Sequence, residues 1–445
     1  MCVSVLSRRQ VAGGSLAFVD TRPILHYGIQ SANGTSTWRD RVRSLRDVLS
    51  FGCYAILLFA GAFLLVQTLG MAARPAGYDL TAYTDAARAL VQGTDPYRGS
   101  GHFPYWYPLF LAAALTPALL LPKLVLDVLW FLASLAAYVY AANAQLTWEE
   151  ETTSGERADR CPRADRWPRA ALLLLVSVVL FEPLQNNVRN GQVDLLLLAM
   201  MTAFAQAERR QQSARSGGWL GTAIAVKLVP IVFVLPLIRS GRGKALVWTA
   251  AACVATTVLL PTLFVGRDIV RFYTQSYPNA FLLDRVAGPA SNDARFTLAA
   301  VIARAVPHAS PLLIRLVATA VVLLVIARAV RAAGQSAAWG PRAFALYAVA
   351  IVLISPMSET HHLVMLTPAI CSVVTIAARS QQARFPGYMV AVPATCVLIA
   401  LLIGFGNGSR FAVPALFLLV ALVTFGEAVE RPAPKVTTAL ALPDS

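Results

Sequence analysis

Long, continuously apolar runs recur along this chain and constrain its fold more than any other feature. The first covers 48–71. Others follow at about 104–122, 124–145, 170–183, 191–207, 218–238, 244–264, 310–330, 342–356, 361–378, 387–405 and 411–427. A membrane helix needs roughly 20 apolar residues, so the runs predict an all-α, polytopic membrane protein with about twelve helical segments. Composition agrees: 57% of the 445 residues are hydrophobic and 14% are charged, with a mean hydropathy of +0.60. A soluble domain carries about 25% charged residues. Soluble enzymes, disordered scaffolds and small disulfide-bonded folds are therefore excluded. A β-barrel is excluded too, because barrel strands alternate apolar and polar residues whereas these runs do not.

The net charge is +15. In a soluble protein that would suggest nucleic acid. In a membrane protein, basic residues collect in short cytoplasmic loops and hold the topology, so no nucleic-acid partner is expected. Cys2, Cys53, Cys161, Cys253, Cys371 and Cys396 show no metal spacing and read as small core hydrophobes. Arg39, Arg41, Arg43 and Arg46 precede the first apolar run and put the N-terminus in the cytoplasm.

Residues 72–103 then lie outside as a first external loop. Within it, Leu80, Tyr83, Ala87 and Leu90 recur at helical spacing, which predicts a short amphipathic helix over 79–92 on the membrane face. Strict alternation of spans makes 265–309 a second external loop and returns the C-terminus to the cytoplasm. The middle of the chain conflicts with alternation. It would put 146–169 outside despite Arg157, Arg160, Arg163, Arg166 and Arg169, and 208–216 outside despite Arg209, Arg210 and Arg215. The run 170–183 would rise only about 21 Å. Broken or re-entrant helices around 170–238 would remove the conflict, and such elements usually mark a site. No internal repeat is visible, which disfavours an inverted-repeat transporter.

Five places carry candidate chemistry. In the first external loop, Asp79 and Tyr83 share a helix face near Tyr97, Tyr105, Trp106 and Tyr107. A carboxylate there can act as a general base on a sugar hydroxyl; an aromatic belt beside a solvated helix face accounts for the same residues. Asp95-Pro96 reads as a turn. The segment 185–194, with Asn186, Asn187, Arg189, Asn190 and Gln192, is either a sugar or phosphate contact or a loop opening a helix, and Asp194 begins that helix. Lys227 lies inside an apolar run, three residues before Pro230. An intramembrane lysine at a broken helix suits a phosphate anchor, and a snorkelling lysine is the alternative. Glu359, His361 and His362 suit hydrogen bonding to substrate or an ordinary helix cap. Adjacent histidines without a third spaced ligand argue against metal. In the second external loop, Arg267, Arg271, Arg285, Arg295 and Arg304 suit phosphate or lipid headgroups.

Taken in order, these pieces resemble glycosyltransferase family 87 of the GT-C superfamily. The resemblance rests on Asp79…Tyr83, Gly93-Thr94-Asp95-Pro96-Tyr97 and Tyr105-Trp106-Tyr107-Pro108. It continues through Asn190-Gly191-Gln192, Lys227-Leu228-Val229-Pro230 and Ser355-Pro356…His361-His362. The chain departs from the family at Ser291-Asn292-Asp293-Ala294 and at Glu359-Thr360, where the family often has Asn-Gln-Ser and Trp. The resemblance implies a GT-C-like membrane domain over 48–427, with a disordered cytoplasmic tail at 1–47 and a second tail at 428–445. It implies a bacterial inner-membrane mannosyltransferase that uses a polyprenyl-phosphate sugar and no cofactor or metal. Its partners would be the lipid-linked donor, a glycolipid or envelope-glycan acceptor, and membrane lipids. Asp79 is implied as the base of an inverting transfer, with Tyr83, Asn190, Gln192, Lys227, Arg295, His361 and His362 binding substrate. An arabinofuranosyltransferase is the alternative enzyme, and a transporter or flippase of lipid-linked sugars the alternative class.

Overall fold

The computed structural model describes residues 38–74, 77–98, 105–154, 168–279, 298–306, 308–334, 339–354 and 359–380. The chain divides into two units, Met1–Leu45 and Arg46–Ser445. The described residues are helical throughout and contain no strand. In chain order the helices are α1 (Trp38–Ala72), α2 (Asp79–Val91), α3 (Leu109–Leu115), α4 (Lys123–Ser154), α5 (Arg169–Val179) and α6 (Phe181–Arg189). Next come α7 (Asp194–Arg209), α8 (Ser213–Val226), α9 (Val234–Arg239), α10 (Gly243–Val254), α11 (Leu260–Val265) and α12 (Asp268–Arg271). The last are α13 (Leu298–Ala305), α14 (Pro311–Gly334), α15 (Pro341–Ile354) and α16 (Thr367–Ser380). Short 3₁₀ segments at Thr116–Leu120, Val229–Phe233 and Thr360–Leu366 join several of them.

Among the described residues, Ser44–Ala72, Lys123–Glu151 and Gly243–Val265 are long and apolar enough to cross a membrane, and α5 with α6, bent by 72°, adds a fourth if counted as one span. This falls short of about twelve. The runs 387–405 and 411–427 lie outside the described residues. The run 104–122 folds as the seven-residue α3 plus a 3₁₀ segment, because Pro108, Pro117 and Pro122 interrupt it. The run 218–238 breaks at Lys227, where α8 ends in an extended residue.

Polar contacts fix which helix ends lie together. Lys123 Nζ donates to the Ala72 carbonyl at 2.7 Å, and Tyr78 donates to Asp127 Oδ1 at 2.5 Å. The start of α4 thus lies where α1 ends and α2 begins. At its far end, Glu150 pairs with Arg169 at 2.8 Å, and Glu151 pairs with Arg209. α5 and α6 return to the first end, where the Asn190 carbonyl accepts from the Asp79 N–H at 3.0 Å. α7 runs back, and Ser216 and Arg242 both meet Glu208 at its far end, at 2.5 and 2.9 Å. α8 climbs to Lys227, and Val229–Arg239 descends again. Ser213–Arg239 is therefore a hairpin that enters and leaves from one end. Neither Leu109–Leu120 nor Val229–Arg239 is long enough to be a candidate span, and Arg169, Arg209, Arg210, Arg215 and Arg242 gather at the end opposite Asp79. The broken helix at Lys227 lies in the region where the sequence expected one.

Packing holds the hairpin in place. Gly217 and Gly221 sit one turn apart on α8 and face α10. A Cβ on Gly217 would lie 2.6 Å from the Ala245 carbonyl, and one on Gly221 would lie 2.5 Å from the Thr249 carbonyl. Small residues at this spacing let two helix backbones approach closely. Below the hairpin tip, Phe233 packs on Phe204, Trp339, Phe344 and Tyr347. The central segment of α15 is buried all round, which suits its uniformly apolar sequence.

Candidate active site

The site forms where the tip of the α8 hairpin, the starts of α2 and α7, and the Thr360–Leu366 segment converge. Asp79 opens α2 at the position predicted for an external amphipathic helix. Its place is set from below: Tyr78 is tied to Asp127, and the Tyr78 N–H donates to Thr81 Oγ1 at 3.2 Å. From the side, the Asn190-Gly191-Gln192 turn presses against it. Gly191 has φ +65°, and a Cβ there would lie 2.6 Å from Tyr78 Cε2. Only glycine meets both demands without strain. The close approach lets Gln192 Nε2 donate to Asp79 Oδ2. Gln192 Oε1 in turn accepts from Tyr83 at 3.2 Å and Tyr107 at 3.3 Å. With both its ends engaged, the Gln192 amide holds the carboxylate in one orientation.

The basic half of the site adjoins the Tyr107 ring. Lys227 Nζ stands 5.8 Å from that ring's centroid and donates to Asp194 Oδ1 at 2.7 Å. α8 stops at Lys227 because Pro230 cannot continue it, and the helix C-terminus favours a cation there. Asp194 opens α7 and is fully buried. Its Oδ2 lies 3.8 Å from His361 Nε2. The His361 and His362 rings lie 4.1 Å apart, and His362 Nδ1 accepts from the Glu359 N–H at 2.9 Å. Glu359 Oε2 lies 3.7 Å from His361 Nδ1. Asn187, buried on α6, donates to the His361 carbonyl at 3.5 Å. Contacts therefore run unbroken from Asp79 through Gln192, Tyr107, Lys227 and Asp194 to the histidine pair.

Burial pushes the Asp79 carboxyl up from its ordinary 3.8 to about 7, and the charge of Glu359 adds to the rise. The Gln192 hydrogen bond and Lys227 pull the other way, and Asp194 adds to the rise. A carboxylate poised near neutral pH is suited to accept a proton.

The structure thus brings Asp79, Tyr83, Gln192, Lys227, His361 and His362 into one site. Asn190 enters through its backbone carbonyl, while its side chain bonds Asn186 at 3.1 Å. Arg295 lies outside the described residues. Arg271 is exposed and 3.7 Å from Asp268. Asp95 closes its turn on the Tyr97 N–H at 3.0 Å and also accepts from Ser276 at 2.6 Å, tying the two external segments together. Asp194, read in the sequence only as a helix start, partners Lys227; its place two residues after Gln192 was the available signal. Asp194, His361 and His362 offer one ligand atom each within 4.8 Å of one another. Asp194 is the third ligand that the adjacent histidines lacked in the sequence, and the Lys227 ammonium lies on its Oδ1.

Comparison with known proteins fits this arrangement. Residues 105–356, more than half of the chain, match Glycosyltransferase family 87. A polyprenol-phosphate-mannose-dependent alpha-(1-2)-phosphatidylinositol mannoside mannosyltransferase of Mycolicibacterium smegmatis is 25% identical over 370 residues, covering 79% of this chain and 81% of the relative. The protein of the same description from Mycobacterium tuberculosis is 26% identical over 306 residues, covering 66% of this chain and 70% of the relative. A polyprenol-phosphate-mannose-dependent alpha-(1-2)-phosphatidylinositol pentamannoside mannosyltransferase of M. smegmatis is 29% identical over 273 residues, 60% of each chain. The family match spans Tyr107, Gln192, Asp194 and Lys227, four members of the contact path, and on it the chain belongs to glycosyltransferase family 87.

Proposed function

We propose that this protein transfers a mannosyl group from a polyprenyl-phosphate donor to a glycolipid or cell-envelope glycan, with inversion. The observation that carries the reading is a carboxylate held by Gln192 and joined through Tyr107 to Lys227 and the histidine pair. Asp79 takes the proton from the acceptor hydroxyl. The freed oxygen bonds to the anomeric carbon from the face opposite the phosphate, and the carbon–phosphate-oxygen bond breaks. The electron pair leaves with polyprenyl phosphate, whose charge meets Lys227, His361 and His362. A β-linked donor then gives an α-mannoside. Arg295 is a further candidate for the phosphate. In the names of the relatives the donor carries mannose and the acceptor is a phosphatidylinositol mannoside, which favours mannose over arabinose and a glycolipid acceptor.

The same reading sets the protein in the bacterial inner membrane in a GT-C-like arrangement, with both termini in the cytoplasm. Arg169, Arg209, Arg210 and Arg242 mark the cytoplasmic end by the positive-inside rule, and the site opens outside. The test offers membranes labelled polyprenyl-phosphate mannose and polyprenyl-phosphate arabinose in parallel. Label entering a glycolipid from the mannose donor alone supports the reading. Transfer from arabinose alone, or label crossing the bilayer of sealed vesicles without transfer, overturns it.

A further inference from the structure

Asp194 is the one carboxylate of the site that is fully buried, and its Oδ2 has no hydrogen-bond partner among the described residues. A buried carboxylate with an unmet oxygen is costly unless neighbouring charge compensates it. Lys227, at 2.7 Å on Oδ1, does so, while His361 Nε2 stands 3.8 Å from Oδ2. The N-terminus of α7 also favours its charged form. Lys227, by contrast, sits beyond the end of α8 on a long flexible side chain, and a free ammonium there would swing toward water. Its carboxylate partner is anchored on a rigid helix, packed between Val193 and Leu195, which are both buried.

We infer that Asp194 is a positioning residue, pinning the Lys227 ammonium where charge develops on the departing phosphate. The inference rests on the mannosyl-transfer reading. Asp194 touches no reacting atom, so its effect passes through Lys227. It also places a negative charge near Asp79. The charged and titratable groups around Asp79 are Tyr83, Tyr107, Asp194, Lys227 and Glu359, with His361 and His362 beyond Lys227.

The test is a double-mutant cycle on purified full-length protein with polyprenyl-phosphate mannose. Wild-type transfer in the same preparation is the control, and its failure would count against the reading itself. Asp194→Ala and Lys227→Ala are each expected to lower kcat/KM at least about ten-fold, and the double variant to be no worse than Lys227→Ala. Asp194→Asn keeps the volume and the acceptor oxygen. It is expected to recover most of the rate, with the acid limb of the pH–rate profile moved to lower pH. Additive losses in the double variant, or Asp194→Ala at the wild-type rate, overturn the inference. If Asp194→Ala does not fold, Asp194→Asn decides alone: an unmoved acid limb overturns it.

Discussion

Asp79 combines two properties that oppose each other in most surface carboxylates. It is buried enough to hold its proton up to about pH 7, yet it stands on the first turn of a helix outside the long apolar spans. As a base it works only when deprotonated, so the predicted kcat/KM falls about ten-fold per pH unit below about 7 and levels above it. Glu359 is the largest charge raising that value. Glu359→Gln should therefore move the acid limb to lower pH, as a pH–rate profile would show; an unmoved limb would separate Glu359 from the base. Lys227 was legible in the sequence because it is a charge inside an apolar run, where charge is expensive, and Asp79 because it shares a helix face with Tyr83 beside a cluster of aromatic residues. Asp194 was not, because a carboxylate before an apolar run reads as an ordinary helix start. Only the fold brings Lys227 onto it.

Helix ends, rather than whole helices, build this site. The Lys227-Leu228-Val229-Pro230 break was legible from proline chemistry. That Ser213–Arg239 turns back at this break was legible only as a conflict among arginines. The seven-residue α3 was hidden inside a run that looked long enough to span. Two glycine positions test the element scale. Gly191→Ala adds a Cβ 2.6 Å from Tyr78 at a positive φ, which costs about 1–3 kcal/mol and displaces Gln192 from Asp79. The expected result is lower turnover with a lower thermal unfolding midpoint in detergent. Gly221→Leu forces α8 away from α10, with the same two readouts. Gly218→Ala, with nothing within 4 Å of the added atom, should leave both unchanged.

The whole molecule has two chemically different ends: one gathers Asp79, Lys227 and the histidines, the other gathers arginines. The all-helical, membrane-spanning character was plain from the apolar runs. The sidedness of the middle was not, because span length alone does not reveal a hairpin. With native cysteines replaced by serine, Asp85→Cys should react with an impermeant maleimide on intact cells, and Arg210→Cys only after permeabilisation. The reverse pattern would place the site in the cytoplasm. Asp79 as the base for mannosyl transfer is tested by transfer from labelled polyprenyl-phosphate mannose by wild type and Asp79→Asn, with donor binding measured on the same samples. The predicted result is an α-mannoside from wild type, and at least about a hundred-fold lower turnover with donor still bound in the variant. Near-normal turnover by Asp79→Asn would exclude Asp79 as the base.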